Sequence, residues 1–261
     1  MALMAATEVV DRVTSTVTYL RVTVGIEDTS ADWLPCRPLV SKPKVLADLA
    51  QETAAGRGTD RQPVAMSLLV QGYVFRIASL AIGAWLLGDV VLDIAPARTA
   101  IAIGRHRPNA VRVDELRLVA TDDPLATLHT QLVDGHLGAL VANAHAAGGV
   151  GEAMLWANVG ASCASSFRAF VDPLPDRRDE ILDRARAFFG SARPELGASG
   201  TLVPVGTDWV WERRACCLWY QASGGSRCED CSLWSKAECL ARYDALIGAQ
   251  AAVAAESGGP A

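Results

Sequence analysis

Residues 60–88 read DRQPVAMSLLVQGYVFRIASLAIGAWLLG, and from Val64 onward they are almost unbroken in their apolar character. This pattern predicts one or two helices at the hydrophobic centre of the protein, with Asp60 near a cap position and Pro63 in the first turn. The most apolar part, Ile77–Gly88, has about a dozen residues, well short of the ~20 that a membrane-spanning helix needs. We therefore predict a buried core helix and no membrane span.

The segments that follow are rich in Val and Ile and contain turn residues. Residues 89–104 read DVVLDIAPARTAIAIG, and residues 111–120 read VRVDELRLVA. Pro96 interrupts the first segment, and a turn is expected at Arg107-Pro108-Asn109 between the two segments. The pattern predicts a small antiparallel sheet of about two to four strands.

The middle of the chain has the residue spacing and the terminal residues of three further helices. The first begins at Pro124 and ends before Gly148-Gly149. The second is expected at about residues 152–170 and the third at about residues 176–189, with Gly190 as its terminator. Together these elements predict the α+β class, with a mostly helical body and a small antiparallel sheet.

Four of the seven cysteines lie within the sixteen residues CCLWYQASGGSRCEDC near the C-terminus. Two adjacent cysteines, Cys216 and Cys217, are followed by ten residues, then Cys228, two residues and Cys231. A flexible turn at Ser223–Ser226 can fold the second half back so that all four sulfurs converge. Four converging thiolates predict either zinc or an iron-sulfur cluster.

A closed four-cysteine zinc site is the main structural alternative, since it would hold a small module together without chemistry. Zinc sites usually take cysteines separated by two to four residues, whereas Cys216 and Cys217 are adjacent and diverge in extended chain. The two irons of a 2Fe-2S rhomb offer such neighbours separate anchor points, so the spacing favours the cluster. A thioredoxin-like dithiol at Cys228 and Cys231 is disfavoured, because no βαβ unit precedes it and because the two intervening carboxylates would raise the thiol pKa values.

This cysteine arrangement resembles that of the ferric siderophore reductases of the FhuF type, which carry it near the C-terminus. The resemblance extends to Arg214 before the adjacent pair, to Leu218 and Tyr220 after it, and to an LWAN segment at residues 155–158. It covers roughly residues 150–235. The resemblance implies a cytoplasmic 2Fe-2S protein that reduces imported ferric siderophores, with the cluster on Cys216, Cys217, Cys228 and Cys231.

One-electron reduction suits this implied role, because hard oxygen chelators hold Fe(III) far better than Fe(II). The sequence has no GxGxxG or GxxxxGKT motif, so we predict no bound flavin or nicotinamide and expect a separate ferredoxin or reductase to supply the electrons. The alternative from a non-enzyme class is a 2Fe-2S binding protein that senses iron or redox state or carries electrons to a partner. A structural zinc module is the third hypothesis.

Further residues near the cysteines or on the LWAN helix are candidates for tuning the cluster or binding the substrate. Arginines beside the ligands could raise the cluster potential or attract an anionic chelate. Pairing with neighbouring carboxylates is the alternative for these arginines, and a core or capping role is the alternative for the LWAN-helix residues. The candidates are Arg213, Arg214, Arg227, Trp156 and Arg168.

The remaining histidines and cysteines are expected to be structural. His129 and His136 lie about two turns apart on one predicted helix, but no carboxylate accompanies them at ligand spacing. Cys36, Cys163 and Cys239 are isolated in sequence and fit small buried apolar positions, although Cys239 is close enough to the cluster to replace a ligand.

The whole chain of 261 residues has a formal net charge of -5 and a pI near 5.4, so we predict no nucleic-acid partner. The first residues, MALMAATEVVDRV, lack the features of a secretory signal, so a cytoplasmic location is expected. Thiols stay reduced there, which disfavours a disulfide framework. We predict three regions: a helical body at 1–197, a 2Fe-2S module at 198–240, and a helical to disordered tail at 241–261.

Overall fold

The computed structural model of the chain describes residues 5–26, 31–191, 193–205 and 208–245. The helices are α1 (Ala6–Thr16), α2 (Cys36–Ser41), α3 (Pro43–Ala54), α4 (Gln62–Gly88), α5 (Pro124–Leu128), α6 (Ala139–Ala146), α7 (Glu152–Arg168), α8 (Arg178–Ser191) and α9 (Pro194–Gly197). The strands are β1 (Arg21–Val24), β2 (Trp33–Pro35), β3 (Val91–Leu92), β4 (Thr99–Gly104), β5 (Arg107–Val113), β6 (Leu118–Val119), β7 (Gly200–Val205) and β8 (Asp208–Arg213). Residues 236–245 are also helical. These elements confirm the predicted α+β class.

The central helix of the body is α4, which is a single helix of 27 residues. Pro63 lies in its first turn as predicted, whereas Arg61 rather than Asp60 occupies the N-cap position. The helix is long and apolar enough to cross a membrane, but 78% of its most apolar window of 18 residues is buried inside the protein. The position of α4 is therefore that of a core helix, as its sequence predicts.

Small residues allow α7 to pack closely along α4. The Ser79 and Ser166 hydroxyl oxygens lie 3.0 Å apart in this contact. A Cβ atom on Gly83 would lie 2.6 Å from Cζ of Phe170, just after the end of α7, so a larger residue there would displace that ring. The same two helices also carry residues that hold the C-terminal cysteines, so their packing fixes the frame of that site.

The main sheet has four strands in the order β1-β5-β4-β2. The predicted antiparallel pairing is confirmed for β4 with β5, while β3 and β6 form a separate antiparallel pair. Two N-terminal strands complete the main sheet: β1 pairs parallel to β5, and β2 pairs antiparallel to β4. The sequence did not predict these two strands, because each is only three or four residues long.

The turn between β4 and β5 lies immediately before the residues that were predicted to form it. The expected turn at Arg107-Pro108-Asn109 is wrong, since these residues begin β5. Arg105 and His106 form the turn instead, with φ values of 51° and 61° in the left-handed region. Pro108 is tolerated in the strand because the register with β4 shifts next to its partner Ile103, and a proline at such an irregularity gives up no regular ladder hydrogen bond.

The three predicted helices of the middle region are confirmed, with two differences. The first is continuous from Pro124 to Ala146, and its N-cap residue Asp123 accepts a hydrogen bond of 3.0 Å from the backbone N–H of Ala126. Its central ten residues, His129–Gly138, form a π-helix that the pattern did not indicate. Gly190 does not end the third helix, because α8 continues through it to Ser191.

The histidines of this helix have structural contacts. The Nδ1–H group of buried His136 donates to the carbonyl of Ile94 at 2.7 Å, which leaves Nε2 to accept from the Tyr73 hydroxyl at 2.7 Å. Burial lowers the pKa of His136 to about 4, so the ring is neutral at pH 7. His129 packs edge-on against Phe188, with ring centroids 4.9 Å apart. These histidines therefore serve the core, as expected.

The strands β7 and β8 form the antiparallel hairpin that leads into the cysteines. Trp209 and Trp211 of β8 belong to the same hydrophobic cluster as the helical body, and the Trp211 ring stacks on Phe189 with centroids 4.3 Å apart. The division into a body at 1–197 and a module at 198–240 stays a prediction. In the predicted tail at 241–261, residues 246–261 lie outside the described residues.

Candidate metal centre

The four clustered cysteines form two pairs of sulfurs. The Sγ atoms of Cys216 and Cys231 lie 3.7 Å apart, and those of Cys217 and Cys228 lie 3.5 Å apart. Each pair takes one residue from the adjacent cysteines and one from the CxxC segment, and the thiols of Cys216 and Cys217 also lie close enough to interact. Within the described parts of the chain, no three Cys, His, Asp or Glu side chains converge on a single ion position. Each pair of thiols can bind one metal ion, so the arrangement suits a centre that contains two metal ions.

Local backbone geometry brings the two halves of the ligand loop together. Leu218, directly after the adjacent pair, has a left-handed φ of 65°, and its N–H donates to Cys216 Sγ at 3.4 Å. Farther along, Gly224 has a φ of +72°, and a Cβ atom on Gly225 would lie 1.9 Å from the carbonyl oxygen of Trp219. Glycine is required at Gly225 by this close approach. The chain therefore folds back at the predicted Ser223–Ser226 turn.

The first turns of α4 hold this loop in place. The Ser67 hydroxyl donates to the carbonyl of Cys217 at 2.7 Å in a buried position. Val64 and Leu68 of α4 form a small apolar cluster with Ala222 of the loop, against which Leu218 and Trp219 pack. The amino-acid pattern does not predict this support. Its one signal in the sequence is Ser67, a hydroxyl group within the otherwise apolar run at the start of α4.

A buried arginine connects the ligand loop to both central helices. The Nη2–H of Arg213 donates to Asn158 Oδ1 at 2.9 Å, and the Asn158 amide donates to the Ser67 hydroxyl at 2.8 Å. Arg213 Nε also lies 3.7 Å from Asp230 Oδ2, in an ion pair whose arginine side chain is 0% exposed. Arg213 thus joins α4, α7 and the CxxC segment around the cysteines.

The guanidinium of Arg213 retains unused hydrogen-bonding capacity beside the sulfurs. Its Nε and Nη1 atoms are buried and make no hydrogen bond with the described residues. Burial opposes its charge, but Asp230 and the thiols of Cys217, Cys228 and Cys216 outweigh burial, so the pKa of Arg213 is raised. A buried cation with free N–H groups is the expected complement of an anionic metal-thiolate centre.

The thiols themselves are electrostatically inequivalent. The pKa of the Cys217 thiol is lowered, first because the Cys216 and Cys228 thiols hydrogen-bond to its sulfur, and further because Arg213 is close. The pKa values of the Cys216 and Cys228 thiols are raised, since they donate to Cys217 and are desolvated. Of these three thiols, Cys217 is therefore the one that most readily becomes a thiolate, the form that binds metal.

The other residues predicted for the site have separate positions. Arg214 is exposed, and its backbone N–H donates to the carbonyl of Ser199 at 2.9 Å. Arg227 lies over the Trp234 ring, 4.7 Å from its centroid, and the Trp234 indole N–H donates to the carbonyl of Cys228 at 3.0 Å. The Cys239 thiol contacts the carbonyl of Cys231 at 3.6 Å.

The two candidates on the LWAN helix differ from each other. Trp156 is buried in the core, and Arg193 lies over its ring at 4.6 Å from the centroid. Arg168 forms ion pairs with Asp172, at 3.3 Å, and with buried Asp208. Neither residue makes a described contact with a cysteine. Two LWAN residues contact Arg213 instead: its Nη2–H donates to Asn158 Oδ1 at 2.9 Å and to the carbonyl of Ala157 at 3.4 Å.

Two family models match the chain. The model described as "Ferric iron reductase FhuF-like transporter" matches residues 67–201, a little more than half of the chain, and the model described as "FhuF 2Fe-2S C-terminal domain" matches residues 213–233. The chain belongs to the FhuF-like ferric iron reductase family. None of the curated proteins compared with the chain matches it.

Membership of the FhuF-like family confirms the predicted resemblance and the predicted cofactor, a 2Fe-2S cluster. The residues present fit this group. Four thiols in two pairs match two irons, and the buried guanidinium of Arg213, which has unpaired N–H groups, is close enough to the thiols to interact with their charge. The two matched segments begin at Ser67 and Arg213, which the structure joins through Asn158. The body and the cysteine segment of this FhuF-like chain are therefore physically coupled.

Proposed function

We propose that the chain is a cytoplasmic ferric-siderophore reductase, in which Cys216 and Cys231 ligate one iron of the cluster and Cys217 and Cys228 ligate the other. The family supports reduction of ferric iron, and the two sulfur pairs support this assignment of ligands. The chemistry that a bound 2Fe-2S cluster supplies is transfer of one electron at a time, which is what conversion of a chelated Fe(III) to Fe(II) consumes.

The observation that carries the proposal is that the ligand set reaches the surface on one side only. Cys216, Cys217 and Cys231 are buried, whereas Cys228 is partly exposed. Burial by α4 and Arg213 protects the site from water on the inner side. The exposed side at Cys228 lets a bulky chelate or an electron donor approach without entering the core, as electron transfer between separate molecules requires.

The protein residues act by positioning and by charge. Ser67 and Asn158 fix the loop that carries Cys217, and Arg213 compensates negative charge next to the sulfurs. We propose that Arg213 tunes the potential of the cluster, while Arg214 and Arg227, which are exposed, have weaker effects because solvent screens them. Because the sequence contains no nucleotide-binding motif, a ferredoxin or a separate reductase is proposed as the electron donor.

Release of Fe(II) from a ferric chelate tests the function. The protein is reduced with dithionite, freed of excess reductant, and mixed anaerobically with the ferric complex of a trihydroxamate or of a tricatecholate in the presence of a coloured Fe(II) trap. We expect the cluster bands to return to their oxidised form while about one Fe(II) appears per cluster, since each cluster delivers one electron.

The oxidised protein serves as the control and should release no Fe(II). If the reduced protein stays reduced with every chelate and is reoxidised only by a redox protein, the electron-carrier or sensor alternative replaces the reductase. The measurement therefore separates the two classes of function.

A further inference from the structure

A cavity of about 560 Å³ lies beside the cysteine segment. Its walls come from the end of α1 and the residues after it, from the middle of α4, from the second half of α7, from β8, and from the segment between Cys228 and Cys231. The volume is in the range of pockets that bind small molecules, about 300–1,000 Å³.

One wall of the cleft is the ligand loop itself. Glu229 and Asp230, the two residues between Cys228 and Cys231, line the cleft. On another side, Gln71 lies one helical turn after Ser67, the residue that holds the carbonyl of Cys217. The cleft therefore borders the segment that carries Cys228 and Cys231, and electron transfer between two groups requires that they lie near each other.

The floor of the cleft is open because α7 presents small residues there. Ala161, Ala164 and Ser165 line it at helical spacing, and Ser165 is exposed. Opposite this floor, Tyr19 stacks on Phe75 with ring centroids 5.9 Å apart, and half of the Tyr19 surface is exposed. The cleft thus combines a flat aromatic wall with polar groups, the usual composition of a site for an organic ligand.

Arg168 gives the cleft a charged group whose orientation is fixed. Its guanidinium is held by Asp172 and by buried Asp208, so it lines the cleft without freedom to move away. Fixed polar groups orient a ligand at little entropic cost. Arg168 is one of the residues proposed from the sequence for substrate binding, and it lines this cleft.

We infer that this cleft is the docking site of the ferric chelate, an inference that rests on the proposed reductase function. The chelate lies between the Tyr19–Phe75 wall and the small-residue floor of α7, with its metal centre toward the Glu229–Asp230 side. Reduction of the chelated Fe(III) to Fe(II) consumes one electron, which the reduced 2Fe-2S cluster would supply while it returns to its oxidised form, and no bond within the organic chelator needs to break. The reaction therefore requires no acid or base from the cleft.

Filling the cleft tests the inference. Ser165→Trp on the floor and Thr18→Trp on the opposite side each place a large side chain at an exposed position, so neither disturbs the core. Each variant is expected to raise the KM for the ferric chelate at least about tenfold with little change in kcat, the pattern of lost ground-state binding. Ala187→Trp, at an exposed position on α8 and outside the cleft lining, is the matched control.

A second readout does not depend on turnover. Calorimetric titration with the redox-inert gallium(III) complexes of the same trihydroxamate and tricatecholate should give a Kd that rises in parallel for Ser165→Trp and Thr18→Trp, while the cluster spectrum and potential stay as in wild type. Wild-type affinity in both filled variants would overturn the docking site. If the wild-type protein itself releases no Fe(II) from any chelate, the proposed function fails instead, and the two failures are distinguishable.

Discussion

Cys217→Ala is expected to abolish the visible absorption of the cluster and most of the bound iron. Cys217 is buried, its sulfur is paired with that of Cys228, and its pKa is the one that the site lowers. Loss of an outer-shell partner alone costs roughly 10- to 100-fold in metal affinity, and loss of a ligand should cost more. Visible and near-ultraviolet circular dichroism spectra, together with iron and sulfide analysis of anaerobically purified protein, measure the effect.

Cys163→Ala is the matched control, because Cys163 is equally buried but lies on α7 in the hydrophobic core. It should keep the full spectrum and lose only the small stability that one buried sulfur contributes. Cys239→Ala should likewise keep the cluster. A Cys217→Ala protein with a wild-type spectrum would contradict the ligand assignment, and a spectrum retained only when Cys239 is present would identify Cys239 as a replacement ligand.

The cysteine site itself could be predicted from the sequence because its elements are local. Four ligands within sixteen residues, and a turn rich in glycine between them, carry their own signal. The long helices were predictable for a similar reason, since the apolar runs of α4 and α7 and the proline in the first turn of α4 are local signals. Even the adjacent cysteines carried usable information, because neighbouring thiolates are accommodated more easily by the two irons of a 2Fe-2S cluster than by a single zinc ion.

The support of the site could not be predicted, because it depends on contacts between distant parts of the chain. Ser67 is 150 residues from the carbonyl that it binds, and 91 residues from Asn158. No periodicity links such positions, and a serine in an apolar helix is equally consistent with ordinary packing. The strands β1 and β2 were missed for the same reason, since each is defined by its partner in the sheet and not by its own few residues.

The long-range contacts also explain why an isolated cysteine segment would be an incomplete site. Trp211 stacks in the core, and the ligand loop packs on Val64 and Leu68 of α4. The buried charge of Arg213 is stable only because Asn158, Asp230 and the sulfurs surround it, since an unpaired buried cation would be strongly unfavourable. The helical body therefore does more than carry the cysteines: it fixes the electrostatic environment in which the cluster works.

Arg213→Gln is expected to lower the reduction potential of the cluster. Reduction adds a negative charge, which a nearby buried cation favours, so removal of the cation makes reduction harder. A unit charge within about 10 Å at an effective dielectric constant of about 20 contributes at least about 1.5 kcal/mol. For one electron this corresponds to a decrease of roughly 60 mV or more. Spectroelectrochemical titration at neutral pH measures the shift, and the electron paramagnetic resonance spectrum of the reduced protein reports any change in the cluster itself.

Arg214→Gln is the matched control, because the neighbouring arginine carries the same charge but is exposed and screened by solvent. Its potential should stay close to that of wild type, as should that of Arg213→Lys, which keeps the charge while losing the planar contact with Asn158. Asp230→Asn removes the carboxylate of the ion pair and should raise the reduction potential of the cluster. This variant tests electrostatic tuning even if Arg213→Gln fails to assemble a cluster. Equal potentials in wild type, Arg213→Gln and Asp230→Asn would contradict electrostatic tuning and leave Arg213 with a purely structural role between α7 and the ligand loop.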